Sequence, residues 1–232
     1  MRAEGWGGRG RRLLFFAVVV VALVVVLRAL VAPFSIPSAS MEPNLVPGDR
    51  IVVSKVSTWG DDGPTRGDVV VFEDPGGWLE TPAPANPVRR VLGAVGLVST
   101  TGHLVKRVVG VAGDTIRCCD EAGRLLVNGE PVDESAFLAD RRGPEDCDGP
   151  MIASCDWTAG PVPEGKLFVM GDNRAASGDS SVRLCRPNET ECTRDPYVDV
   201  DEVVGTVAAV VWPLDRLGGV PDAPTLAAVP GR

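Results

Sequence analysis

Residues 104–116 read LVKRVVGVAGDTI, two Val- and Ile-rich runs separated by Gly113 and Asp114. β-Branched side chains lose rotamer freedom in a helix and pack well on a pleated surface, whereas Gly-Asp suits a turn. A strand, a tight turn and a second strand follow. The same grammar recurs in DRIVVSKV (49–56), GDVVVFED (67–74), DTIRCC (114–119) and KLFVMGD (166–172). RLLVNGEPV (124–132) adds Asn128-Gly129, a strong hairpin signal. VVGTVAAVVW (203–212) is too short to cross a bilayer and is flanked by acids, so it reads as a buried strand. The expected fold is mainly β, with antiparallel, twisted sheets.

Three segments depart from that pattern. NPVRRVLGAVGLV (86–98) spaces Val88, Val91, Leu92 and Val95 as one face of a helix, packed either on the sheet or on a membrane surface. Residues 117–165 are polar, loop-rich and cysteine-bearing, as an inserted cap subdomain would be. The Gly/Pro/Ala-rich residues 218–232 read as a flexible C-terminal tail.

At the other end, LLFFAVVVVALVVVLRALVA (13–32) has Arg28 as its only charge. Twenty residues at 1.5 Å rise span roughly 30 Å, one hydrocarbon core. Arg2, Arg9, Arg11 and Arg12 in the 1–12 tail predict that this flank stays cytoplasmic and residues 33–217 emerge outside. Arg28 lies near enough to the far end to snorkel. A cleaved signal peptide is the rival reading, but the apolar run is too long, and Leu30 stands where a small residue should precede Ala32. The expectation is a single-pass anchor in the cell membrane, with the bilayer itself as a partner.

The formal net charge of −8 and the lack of a basic stripe disfavour a nucleic-acid partner. All six cysteines fall beyond the anchor, where disulfides form. Cys147–Cys155 and Cys185–Cys192 are expected as local staples, and Cys118 and Cys119 have no assigned partner. With one histidine and no C-x-x-C pair, no metal or other cofactor is expected.

Just past the anchor, PSASMEPNL (37–45) presents Ser38 and Ser40 in a proline-stiffened turn. A serine hydroxyl becomes a nucleophile only with a base in reach. His103, the single imidazole, sits in a Gly-rich turn that nothing else recommends. A lysine can serve if it is neutral, which requires it to titrate roughly 2–3 units lower than a free amine, a bias of about 3–4 kcal/mol. Burial among apolar groups does this. Lys106 lies among Leu104, Val105, Val108 and Val109, and Lys55 near a strand end is the weaker competitor. On strand pattern alone, a Lys106 that faces solvent is the favoured reading.

The order SxSMEPNLVPGDRIVV, LVKRVVGVAGDTI, VMGDNRAASGDS behind an N-terminal anchor resembles the bacterial type I signal peptidases, membrane-bound Ser/Lys endopeptidases. The likeness runs from the anchor to about residue 215. It implies that Ser40 is the nucleophile and that its own N–H helps form the oxyanion hole. It further implies Ser38 as second oxyanion donor, Lys106 as general base and Ser177 as the hydroxyl orienting the amine. Asp172, Arg174 and Asp179 are implied to brace the site. The substrate implied is a signal-peptide-bearing preprotein, cleaved after a small-x-small motif at the outer membrane–water interface, with Pro33, Phe34 and Ile36 near the lipid. Ser181 occupies a position where the family usually has arginine, which leaves Asp179 to pair with Arg107 or Arg183. Two alternatives are an impaired relative that only binds precursors and a Ser/Lys self-cleaving regulator. The anchor and the acidic charge disfavour the second.

Overall fold

The computed structural model describes residues 6–58, 63–79, 102–138, 156–185, 189 and 192–231, with side chains from residue 10 onward. Helix α1, Trp6–Leu30, contains an apolar span, Gly10–Leu30, none of which is buried against the rest of the protein. It stops two residues earlier than expected. Val31 and Ala32 already belong to β1 (Val31–Ser35), which is held to its neighbour in antiparallel register from Val31↔Ser54 to Ser35↔Arg50.

The β-branched runs form β2 (Arg50–Ser54), β3 (Val69–Glu73), β4 (His103–Gly110), β9 (Lys166–Met170), β10 (Val198–Asp199) and β11 (Val203–Trp212). With β1 they make a seven-stranded antiparallel sheet in the order β1-β2-β11-β3-β4-β9-β10. A second sheet, β7-β6-β5-β8, comes from β5 (Ile116–Cys118), β6 (Leu126–Val127), β7 (Glu130–Pro131) and β8 (Trp157–Ala159). Asn128 (φ 56°) and Gly129 (φ 88°) turn β6 into β7, both in the left-handed region that this two-residue hairpin requires.

Apolar faces of the large sheet build two cores. One joins Met41, Leu45, Ile51, Val53 and Val71; the other joins Val70, Phe72, Val108 and Val169. The third core lies under the second sheet and includes Ile116, Val127, Phe137 and Phe168. Val203–Trp212 is a sheet strand flanked by β2 and β3, but it is only partly buried: Val203 and Val210 face the cores, whereas Val211 and Trp212 at its end are exposed.

The C-terminal segment differs from expectation. Residues 218–231 do not trail off: Gly218 bridges Val210, and Leu226 and Val229 are buried in the third core. Arg66 clamps this segment, donating to Val229 O at 2.6 Å while its Nε–H donates to Asp114 at 2.6 Å. Leu226, in the single helical turn Pro224–Ala227, and Val229, just past its end, give the tail an apolar face that its Gly/Pro/Ala composition conceals.

Cys185–Cys192 is a disulfide, as expected, and Cys118 and Cys119 are bonded to each other. Cys147, Cys155 and the 86–98 segment lie outside the described residues.

Candidate active site

The sheet leaves a gap that the sequence could not show. β4 pairs with β3 over its whole first half, but β9 accompanies it only from Arg107, opposite Met170. Beyond Met170 the chain turns away into residues 171–179. Among the described residues β1 is a sheet edge, paired with β2 alone. Between the two strands lies a cleft of about 120 Å³, walled by Phe34, Ile36, Val71, Leu104 and Val105, with Ser38, Ser40 and Lys106 at one end. Phe34 meets the His103 ring across it, centroids 5.2 Å apart.

Ser40 is placed by its neighbours. Met41 and Leu45 are buried in the core, and both Asn44 N–H and Leu45 N–H donate to Met41 O, which closes a turn behind the serine. Asn173 N–H donates to Ser40 O at 3.0 Å, and its side-chain amide to Ala39 O at 3.1 Å. The turn is therefore pinned to the 171–177 loop.

Lys106 points into the protein, not to solvent, and is 3 % exposed. Its Nζ lies 2.8 Å from Ser40 Oγ and 3.1 Å from Val105 O. Burial lowers its pKa from 10.5 to about 8, against a smaller upward pull from Asp179 and Asp172. Near neutral pH an appreciable fraction of the amine is unprotonated. A neutral amine can donate to Val105 O while its lone pair accepts from the Ser40 hydroxyl. Ser38 Oγ, on the exposed side, is 3.3 Å from Ser40 Oγ.

Lys55 sits half-buried at the end of β2, its N–H donating to Leu30 O, and His103 packs on Phe34; Lys106 is the base candidate in contact with the serine. Ile36 is buried in the core, and its N–H and C=O are tied to Asp49 O and Gly48 N–H.

The bracing residues assemble differently from the family-based expectation. Ser177 is buried beside Gly171, but its Oγ has no hydrogen-bond partner among the described residues and does not engage the Lys106 amine. Asp179 pairs with neither Arg107 nor Arg183. Its carboxylate accepts from Gly171 N–H at 2.9 Å and from the N–H and hydroxyl of Ser181 at 3.1 and 2.7 Å. Ser181 thus fills a position usually held by arginine with two short-range donors. Arg183 instead donates to Gly77 O and lies over Trp78, while Arg107 forms a buried two-pronged pair with Asp172, both bonds 2.8 Å. Arg174 pairs with Glu134, and its Nε–H donates to Gly171 O.

Asn44, Arg107, Glu134 and Asn173 complete this shell. Lys106 and Arg107 are adjacent and both buried, so their side chains leave β4 on opposite faces. No local pattern marks Glu134 or Asn44, whose partners lie 40 and 128 residues away.

A hydroxyl, a desolvated amine and a flanking hydroxyl donor on an antiparallel β scaffold are the parts of a serine-type acyl-transfer site. The family described as "Signal peptidase, peptidase S26" matches residues 10–212. A "Probable signal peptidase I" of Mycobacterium leprae is 37% identical over 224 residues, covering 88% of this chain and 76% of the relative. The "Signal peptidase I" of Mycobacterium tuberculosis (strain CDC 1551 / Oshkosh) is 36% identical over 235 residues, covering 90% and 75%. A crystal structure of a signal peptidase I from Enterococcus faecalis V583 aligns with TM-score 0.36 and 21% identity, covering 62% of this chain and 95% of that one. The chain belongs to the signal peptidase family, peptidase S26, a family of serine endopeptidases.

Proposed function

We propose that this chain is a membrane-anchored endopeptidase that removes N-terminal signal peptides from exported preproteins after a small-x-small motif, with Lys106 as base to Ser40. The observation that carries the reading is the 2.8 Å contact between Ser40 Oγ and an amine whose pKa burial lowers to about 8.

An extended precursor segment enters the cleft between β1 and β4 as an added strand, using backbone groups that neither β2 nor β9 takes. At about 120 Å³ the apolar cleft favours small side chains next to the scissile bond. Neutral Lys106 takes the Ser40 proton as Oγ attacks the scissile carbonyl. Charge develops on the carbonyl oxygen and is met by the Ser40 N–H and the Ser38 hydroxyl, donors typically worth about 2.7–4 kcal/mol each. The ammonium returns its proton to the departing amine, and the C–N bond breaks. Water, deprotonated by Lys106, then cleaves the Ser40 ester and releases the signal peptide.

Placement at the outer membrane–water interface is supported by the shortness of the link: α1 ends at Leu30, β1 follows at once, and Ser40 lies ten residues on. The basic N-terminal flank favours a cytoplasmic N-terminus.

The test is processing of a labelled, signal-bearing precursor by purified full-length protein. Ser40→Ala and Lys106→Ala should each abolish cleavage. Substantial processing by either variant overturns the assignment.

A further inference from the structure

Glu134 is a buried carboxylate outside the reacting groups, only 2 % exposed, in the turn after β7. It faces Arg174, itself buried, with Nη1 donating to Oε2 at 3.3 Å and Nη2 to Oε1. Arg174 uses its remaining edge, Nε–H, on Gly171 O at 2.9 Å. Gly171 packs directly against the nucleophile's backbone: a Cβ there would lie 2.4 Å from Ser40 O. The chain Glu134–Arg174–Gly171–Ser40 therefore runs from the turn after β7 to the backbone carbonyl of the nucleophile in three contacts.

A second chain starts three residues further on in the same turn. Phe137 O accepts from Asn44 Nδ2 at 2.6 Å, and Asn44 also donates to Asp172 Oδ2 at 2.8 Å. The Phe137 ring lies under the Arg107 guanidinium, 4.3 Å from centroid to Cζ. Arg107 holds both oxygens of Asp172 and follows Lys106 in sequence. Phe137 and Leu138 N–H groups both donate to Glu134 O, so the two chains share one rigid turn.

We propose that the turn Glu134–Leu138 is a positioning element for the reacting pair: Glu134 acts through Arg174 on the Ser40 side, and Phe137 acts through Asn44 and Arg107 on the Lys106 side. The inference rests on the reading of Ser40 and Lys106 as nucleophile and base. Under it the second sheet does more than cap the domain, because it fixes the distance at which a proton moves. Misplacement of reacting groups by about 1 Å costs on the order of a hundredfold in rate. Neither arm lines the cleft, so substrate affinity should be spared.

The experiment compares full-length wild type with Glu134→Gln, Phe137→Leu, Ser40→Ala and, as a control in the loop leading into β6, Arg124→Ala, which loses a partly exposed pair with Asp120. kcat and KM are measured on a labelled signal-bearing precursor at a temperature where circular dichroism shows each variant folded. Glu134→Gln and Phe137→Leu should each lower kcat tenfold or more with KM within twofold, and Arg124→Ala should match wild type. A kcat within twofold of wild type, or a raised KM at unchanged kcat, overturns the proposal. If Glu134→Gln does not fold, Phe137→Leu decides by the same criteria. Loss of folding in both overturns it too, since the turn then supports the core and not the reacting pair. Full activity of Ser40→Ala would instead remove the underlying reading, which separates the two failures.

Discussion

At Lys106 one side chain sets activity and stability against each other. Its native pKa of about 8 lies below the unfolded value of 10.5, so between those values the native state binds fewer protons than the unfolded chain. Stability therefore rises with pH through that window, and the penalty is fully present below about 8. Its size is about 3 kcal/mol. Lys106→Met, which keeps the bulk and discards the charge, should raise stability at pH 7 by about 2–3 kcal/mol in chemical denaturation while abolishing processing. The gain should shrink toward zero above pH 10.5. An unchanged or lowered stability at pH 7 would contradict the desolvation account. The same proton governs rate. Precursor processing should fall about tenfold per pH unit below about 8, and a profile still at full height near pH 5 would exclude a lysine base.

The loop 171–179 acts as an element although it is hardly regular structure. Gly171 lies where the Ser40 and Ser177 segments converge: an added Cβ would fall 2.3 Å from Ser177 Oγ and 2.4 Å from Ser40 O. The second atom is backbone and cannot swing aside. Gly171→Ala should lower kcat at least a hundredfold and cost about 1–3 kcal/mol, read by precursor cleavage beside thermal denaturation. Near-normal kcat would show that the nucleophile turn is not held by this approach. The Met41 turn, the Asp179 carboxylate and Asn173 reach the same few backbone groups from three directions, so a small residue is needed at their meeting point.

For the whole molecule, the two ends of the chain contribute oppositely. The apolar span of α1 buries nothing against the domain, whereas the last residues complete the third core. Deleting residues 219–232 removes Leu226 and Val229 from that core and withdraws Pro221 O from the buried Arg107 and Val229 O from Arg66. Each apolar side chain contributes about 1.5–3 kcal/mol, and a buried guanidinium loses an acceptor besides. The truncated protein should lose about 3–5 kcal/mol in urea denaturation and much of its activity. A midpoint equal to that of the full chain would mean that the tail is dispensable.

The β architecture and the apolar span could be read from the residues because each depends on short-range signals, whereas Ser40 and Lys106 are singled out by the family resemblance. β-Branched runs between turn residues specify strands and a long, nearly uncharged apolar stretch suits lipid, but an apolar strand around one lysine does not by itself show which way the lysine faces. The Arg107–Asp172 and Arg174–Glu134 pairs and the seat of Leu226 and Val229 could not be read in this way. Those contacts join residues 40 to more than 100 positions apart, and charged side chains choose buried partners only after packing decides which are near enough to repay desolvation. Local sequence therefore specified the strands and marked the candidate groups. The folding of two sheets against one turn decided how they are held.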